Sequence, residues 1–281
     1  MVEFENKSIY EKNKNSSEFN GPRYDLTSTD ANLLTKELLD ENLLHLPESG
    51  RFVTIEVNGD SKYSNIGRYT ELAAFGPGDY LADNPDLCAE EYKPYESSSN
   101  FFLLIDREAT RPVGVLRAIG NSKSGIKTLN DAQKEPFNVD IEDVVRIHGI
   151  SDFDKVWDIG TIAVLPEYRG VDAGLPSISL YRAIYLSSIE KGIEHWVSII
   201  DNKLLRALKG VFAMPFVPLA NSEPGPYLGF EKSHAVYARV SEFREELERR
   251  MREVKSQMSK KILESLVYDD NDKNIVLNGT N

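Results

Sequence analysis

Asp158 stands inside the apolar run Trp157-Asp158-Ile159-Gly160-Thr161-Ile162-Ala163-Val164. Read with a period of two, Asp158, Gly160 and Ile162 share one face of a strand, and Trp157 lies on the other. Burial disfavours the charged form of a carboxyl group and raises its pKa, which suits a base working near neutrality. If the carboxylate is structural, Arg117 or another nearby cation is expected to hold it; Arg117 is also the candidate substrate-binding residue. The run continues through Leu165-Pro166-Glu167-Tyr168-Arg169-Gly170 and then Val171, Asp172 and Ala173 to Gly174. Pro166 ends ladder pairing because it has no N–H to donate. Helix-compatible residues follow from Leu175 to Glu190, and Pro176 is tolerated where the first turn leaves its N–H groups unpaired. Strand, glycine-containing turn and helix N-terminus together present backbone N–H groups and a positive dipole end to an anion such as a phosphate. Asp172 would face that charge unfavourably. Glu167 lies in the turn, solvated, and is set aside as a base.

These residues need elements to position them, and the spacing predicts the following order. The first 24 residues, rich in Asn, Ser, Glu and Lys, read as a disordered tail. A helix starts at Ser28-Thr29-Asp30, with Leu33, Leu34, Leu38 and Leu39 as its apolar stripe. Arg51 to Val57 alternates as a strand, and Ser61 caps a helix reaching Phe75. Residues 76–99 read as a long loop, a kind of segment that is usually functional. Phe101 to Asp106 and Val113 to Ile119 form an antiparallel hairpin, followed by an insertion at 120–155 with a helix near Ile141 to Ile147. That insertion is too apolar for a free loop and is expected to pack on the sheet and help wall a pocket. After the strand Val156 to Val164 and the helix from Leu175 come a strand at Trp196 to Ile200 and a helix at Asn202 to Phe212. Further strand follows at Leu228 to Val240. Phe243, Leu247, Met251, Val254, Met258, Ile262 and Leu266 give one stripe over a long C-terminal helix at 241–268, packed on the domain or on a second copy. Residues 269–281 read as a flexible tail.

Composition narrows the classes. The 281 residues are 41% hydrophobic and 28% charged with a net charge of −12, ordinary for a globular protein and unfavourable for nucleic acid or an anionic membrane. The single cysteine, Cys88, cannot form an internal disulfide, and the four histidines lack metal-ligand spacing, so no metal is expected. No apolar run reaches membrane-spanning length and no signal-peptide pattern is present, which makes the cytoplasm the expected compartment.

The run from Ile162 to Gly174 resembles the central signature of the GNAT acyltransferase superfamily. That signature is an apolar strand ending in V-x-P-x-[YF]-R-[GR], then x-G-x-[GA]. Val164, Pro166, Tyr168, Arg169, Gly170 and Gly174 match it, and Asp172 stands where the family has its first loop glycine. The resemblance covers residues 51–240 and implies an α/β fold, with a central mixed, mostly antiparallel, twisted sheet flanked by helices. A single acyltransferase domain would then span 25–240. The signature loop, Arg169, Gly170, Val171, Asp172, Ala173 and Gly174, is implied to hold the pyrophosphate of acyl-coenzyme A as co-substrate, with an acyl-carrier protein as the alternative donor. Ile162 and Val164 supply backbone N–H groups that polarise the thioester carbonyl. Asn202 is implied to hold the pantetheine arm, although an N-cap role explains it equally well. Trp157 to Val164 is also similar to the W-E-x-[ST]-R-F-x-V strand of acyl-homoserine lactone synthases, a branch that includes long-chain N-acyl amino acid synthases. Arg68 to Phe75, Glu91 to Glu96 and the V-G-V-L-R run ending in Arg117 resemble that branch too. Asp158 falls on its glutamate and Thr161 on its arginine, so the lactone-forming chemistry is not expected to be retained.

The resemblance implies transfer of an acyl group from a thioester to a small primary amine, with an amino acid or amino-acid derivative among the candidate acceptors, and with no permanently bound cofactor. Asp158 would be the base. Tyr227, ahead of Gly229-Phe230, would protonate the leaving thiolate, although a structural tyrosine at a strand entrance is the favoured reading, because the family's usual tyrosine position holds Phe212. The competing reading is a degenerate fold of this type that only binds a ligand or a partner.

Overall fold

The computed structural model describes residues 19–46, 50–75, 84–170, 174–257, 260, 263–264, 266 and 275–276. An open sheet runs in the order β6-β8-β5-β4-β3-β2-β1-β9, with β7 paired to β8. Its strands are β1 (Phe52–Asn58), β2 (Ser99–Asp106), β3 (Arg111–Ile119), β4 (Val156–Val164), β5 (His195–Asp201), β6 (Val217–Pro218), β7 (Gly225–Tyr227), β8 (Phe230–Arg239) and β9 (Ile275–Val276). β4 and β5 are parallel, as are β1 and β9, and the other pairs are antiparallel. The mixed, mostly antiparallel sheet is the one the signature implied.

Side-chain alternation assigns helices to the two faces. Trp157 and Trp196 turn toward α6 (Leu175–Glu190), where the Trp196 indole donates to Ser188 Oγ at 2.9 Å and Lys191 lies over the Trp157 ring. Phe243 of α8 (Val240–Glu253) packs on Trp196 and Tyr185 and completes that layer. The opposite face carries α1 (Ser28–Glu41), α2 (Ser64–Phe75) and the insertion. The insertion folds as α4 (Lys127–Ala132) and α5 (Ile141–His148), whose side chains join Val156, Val197, Ala235 and Tyr237 in a second core. Burial of Ile126, Leu129, Phe137, Val139, Val144 and Ile150 explains why so apolar a segment is not a free loop.

Four expectations change. Residues 84–98, read as loop, form α3 (Pro85–Tyr92) and a 3₁₀ turn at Lys93–Ser98, while 76–83 lie outside the described residues. Pro85 opens α3, and the buried Cys88, Tyr92 and Tyr95 anchor the segment although their spacing shows no long period. The described part of the N-terminal segment is docked: Phe19 is buried, and the Asn65 amide donates to the carbonyls of Phe19 and Gly21 and accepts from Arg23 N–H. The last long helix stops at Glu253, where Val254 turns extended (φ −75°, ψ 124°), and Met258 and Ile262 lie outside the described residues. Ile275 and Val276, expected in a flexible tail, pair with Thr54 and Ile55 at the edge of β1.

Arg117 belongs to this framework. Its guanidinium is buried on the α2 face, forks onto Glu71 through Nε–Oε1 at 2.9 Å and Nη2–Oε2 at 2.7 Å, and also donates to Tyr24 OH. Glu96 bridges from Arg68 (Nε–Oε2 3.1 Å) to Tyr24 OH. Arg117→Met would leave Glu71 a buried, unpaired charge and should lower unfolding free energy by about 3–5 kcal/mol. Urea unfolding checks this, and a loss below ~1 kcal/mol would show that water reaches Glu71.

Candidate active site

The site follows from where the sheet's ladder stops. β4 and β5 pair over three positions only, Val156, Trp157 and Asp158 against His195, Trp196 and Val197. Beyond them β4 continues with β3 up to Val164, and β5 continues with β8 up to Asp201. The two strands therefore part, and at the branch point Ser198 Oγ donates to the Ile159 carbonyl at 2.7 Å, a side-chain bond where the next ladder bond would be. Into this gap opens a cleft of about 810 Å³, lined by Ile159 to Ile162, Ser198 to Asp201, Leu204, Leu208, Phe216 and Phe230 among others. Most of these are apolar, which suits an alkyl or acyl arm.

At the inner end the cleft meets a recess of about 250 Å³ lined by Tyr92, Lys127, Thr128, Asp158, Gly160 and Tyr227. Tyr92, Ile159, Gly160, Ile199, Tyr227 and Leu228 line both spaces. A Cβ added at Gly160 would crowd Ile119 Cδ1 at 3.1 Å and meet the Tyr92 ring at an ordinary 3.5 Å.

Asp158 is buried and accepts from Thr128 twice, from the backbone N–H and from Oγ1, the latter at 3.0 Å. It thereby caps α4, whose own N-cap, Ile126, has no side-chain oxygen. Burial pushes its pKa up to about 6, while the charge of Lys127 and the two Thr128 hydrogen bonds pull the other way. The cation beside Asp158 is therefore Lys127 and not Arg117, which is committed to Glu71 and lines neither space.

Tyr227 reaches the recess from β7. Its hydroxyl accepts from Lys127 Nζ at 2.9 Å and donates to Asp131 Oδ2 at 2.8 Å. Lys127 Nζ also donates to Glu91 Oε1 at 2.5 Å and Asp131 Oδ2 at 2.7 Å. Burial would lower the Lys127 pKa, but Tyr227, Tyr92, Asp131 and Glu91 together raise it, so the group stays an ammonium ion. Burial raises the Tyr227 pKa against the pull of Lys127 and keeps its proton in place.

The other expected residues separate. Ile162 lines the cleft; Val164 is buried and does not. Arg169 does not hold its guanidinium free for a phosphate: Nε donates to the Val164 carbonyl and Nη2 to the Ala74 carbonyl, tying the end of β4 to α2. Gly170 and Gly174 have φ of +83° and +89°, and Gly174 is the N-cap of α6 with open space around it. Val171, Asp172 and Ala173 lie outside the described residues. Asn202 is not the cap of α7 (Asn202–Gly210): Asp201 caps it, through Lys203 and Leu204 N–H, and Asn202 Oδ1 faces His234 Nε2 at 3.2 Å. The insertion reaches the site through Lys127 and Thr128 alone, and its apolar residues pack away from the cleft. Lys127, Thr128, Tyr92 and Ser198 were not singled out from sequence. Each is an ordinary residue type in a segment without a motif, and only long-range packing brings it here.

No protein-family model matches the chain, and no curated protein matches it. Solved structures resemble it at a distance. The CoA-dependent acyl-homoserine lactone synthase BjaI, with SAM and isopentyl-CoA, aligns at 13% identity over 82% of this chain and 95% of that one, with a TM-score of 0.46. FeeM, an N-acyl amino acid synthase from uncultured soil microbes, aligns at 13% identity over 70% and 96%, with a TM-score of 0.49. A GNAT-family acetyltransferase from Staphylococcus aureus Mu50 aligns at 13% identity over 66% and 99%, with a TM-score of 0.39. Identities and scores this low transfer no residue role or substrate to this chain.

The buried carboxyl makes stability pH-dependent. A carboxyl held near 6 in the folded chain and near 3.8 unfolded binds its proton more tightly when folded. Stability from this group is therefore complete below pH 4 and falls as pH rises through 6. Two units correspond to about 3 kcal/mol. Asp158→Asn removes that titration, so urea unfolding of the two proteins should diverge by about 3 kcal/mol between pH 4 and pH 7, in favour of the variant. A constant difference would show that the carboxyl is not perturbed.

Proposed function

We propose that the chain is an N-acyltransferase that moves an acyl group from acyl-coenzyme A to a primary amine. The observation that carries this reading is the parting of β4 and β5. It leaves one edge of β4 without a strand partner beside an apolar cleft, with an ionisable carboxyl and a phenol at its inner end. Backbone N–H groups on such an edge can polarise a thioester carbonyl without any side chain. The signature residues from Val164 to Gly174 support coenzyme A as the carrier, with its phosphates at the start of α6.

The roles follow from the chemistry. The acceptor enters as an ammonium ion and gives one proton to the Asp158 carboxylate. Its nitrogen lone pair then forms a bond to the thioester carbon, and the carbonyl electrons move onto oxygen, held by β4 N–H groups. When the carbonyl re-forms, the carbon–sulfur bond breaks and its electron pair leaves on sulfur. The thiolate takes a proton from Tyr227, whose hydroxyl turns from Asp131 to sulfur for this step, and the tyrosinate so formed sits 2.9 Å from the Lys127 ammonium. The nitrogen's second proton passes to the Tyr227 oxygen and restores the phenol. One proton is released overall, from Asp158. A carboxyl with a pKa near 6 is ionised at neutral pH and still basic enough to act.

Asp158→Asn should lower turnover by about 10²–10⁴ while acyl-CoA binding persists, and wild-type kcat/KM should fall with unit slope below about pH 6. Free-thiol release against pH tests this, and near-wild-type turnover in the variant would make Asp158 structural. Gly174→Val tests the donor site separately. At a φ of +89° a β-branched residue is strained by about 1–3 kcal/mol, although nothing blocks its Cβ. Acyl-CoA affinity, followed by titration calorimetry, should drop at least about tenfold while the circular dichroism spectrum is retained.

A further inference from the structure

We infer that the acceptor is a cationic amine without a neighbouring carboxylate, and not an amino acid. The inference rests on the transferase reading above and concerns which amines the recess accepts. Hydrogen-bond capacity decides it. Lys127 is the cation that lines the recess among the described residues, and an ammonium group has three N–H donors. All three are used, on Glu91 Oε1 at 2.5 Å, Asp131 Oδ2 at 2.7 Å and Tyr227 OH at 2.9 Å. The Tyr227 hydroxyl has given its proton to Asp131, and Thr128 Oγ1 has given its proton to Asp158. Tyr92 OH lies 3.4 Å from Thr161 Oγ1 and the Gly160 carbonyl, so it too has partners. Every side-chain donor lining the recess is engaged.

Acceptors are not exhausted. Each Asp158 oxygen takes one hydrogen bond from Thr128, and a carboxylate oxygen can accept two. The nearby charges add to the same bias. Asp158, with Glu91 and Asp131 on the far side of Lys127, outnumbers that single cation, and the remaining charged residue lining the cleft is Asp201. A substrate ammonium group finds a charged acceptor here. A substrate carboxylate on the adjacent carbon finds carboxylate oxygens and no free N–H on a cation, and a charge left unpaired in such a site is strongly disfavoured.

The test is a set of matched acceptors offered to the full chain with acetyl-CoA and with octanoyl-CoA, followed by free thiol and by mass of the product. Phenethylamine and phenylalanine form one pair, and isobutylamine and valine another. Phenylalaninamide keeps the size of the carboxylate but not its charge. The expected result is a kcat/KM for each amine at least about tenfold above its amino acid, with phenylalaninamide on the side of the amines. Amino acids used as well as amines, or better, overturn the inference while leaving the transferase reading intact. Donor binding without transfer to any amine would sink that reading, and the inference with it. Glu91→Gln provides a second arm, because it keeps an acceptor for Lys127 and removes one negative charge. The preference should narrow by about threefold or more in that variant. An unchanged preference there would overturn the electrostatic argument.

Discussion

The site depends on a sheet that cannot stay paired. Every backbone N–H and carbonyl in a buried sheet needs a partner, and β4 and β5 give this up after three positions. Each strand keeps its ladder on its outer side, with β3 and β8, so the split costs pairing along one inner edge alone. Ser198 recovers part of that loss by donating to the Ile159 carbonyl. The cleft, the recess behind it and the exposure of β4 backbone are consequences of this one departure from regular pairing. The bulge on β4 opposite Arg117 and Ala118 falls at the same place, where Gly160 stands out of register. Bulges of this kind re-aim side chains, and here the residue before it is Asp158's neighbour Ile159, the acceptor of the Ser198 bond.

Two buried charge networks on the α2 face hold the recess in shape. In the first, Arg68 and Arg117 are matched by Glu71 and Glu96, with Tyr24 closing the set. In the second, Lys127 is matched by Glu91 and Asp131, with Tyr227 closing the set. Tyr92 lies between them, with the Arg117 guanidinium 3.9 Å from its ring centroid and the Lys127 ammonium 5.6 Å away. Networks like these are costly unless fully satisfied, and they favour one arrangement of the surrounding elements over its near alternatives. The insertion contributes Lys127 and Asp131 to this set, α3 contributes Glu91 and β7 contributes Tyr227. A single ammonium group thus ties the insertion, α3 and the β7 strand to one another. This explains why the insertion buries its apolar side chains elsewhere and still presents two polar ones to the site.

Asp158 carries two tasks that pull in different directions. As the cap of α4 it accepts from Thr128, which favours its ionised form; as a buried group it is pushed toward the neutral form. The balance leaves it near neutrality, where a base is most useful. A carboxyl that were only a cap would gain nothing from facing a recess, and the Thr128 bonds leave each of its oxygens able to accept again.

What the chain's order of residues determined by itself was what local periodicity can carry. The strands β1, β2, β3 and β4, the end of β4 at Pro166 and the helix that starts at Leu175 were legible. So was Asp158 as a carboxylate out of place in an apolar strand, because period two and composition act over a few neighbouring residues. Tyr227 was legible only as a residue before a Gly-Phe pair. The tertiary structure alone decided that Asp158 and Tyr227 share a recess and that Lys127, not Arg117, is the cation beside them. It also decided that Asp201 rather than Asn202 caps α7, and that residues 84–98 are helical. The decisive bonds join residues 30 apart for Thr128 and Asp158, 100 apart for Lys127 and Tyr227, and 36 apart for Lys127 and Glu91. Contacts at that separation leave no periodic mark in the chain. They exist because a buried ammonium group must satisfy all three of its N–H groups, and only the folded chain brings three acceptors to one place.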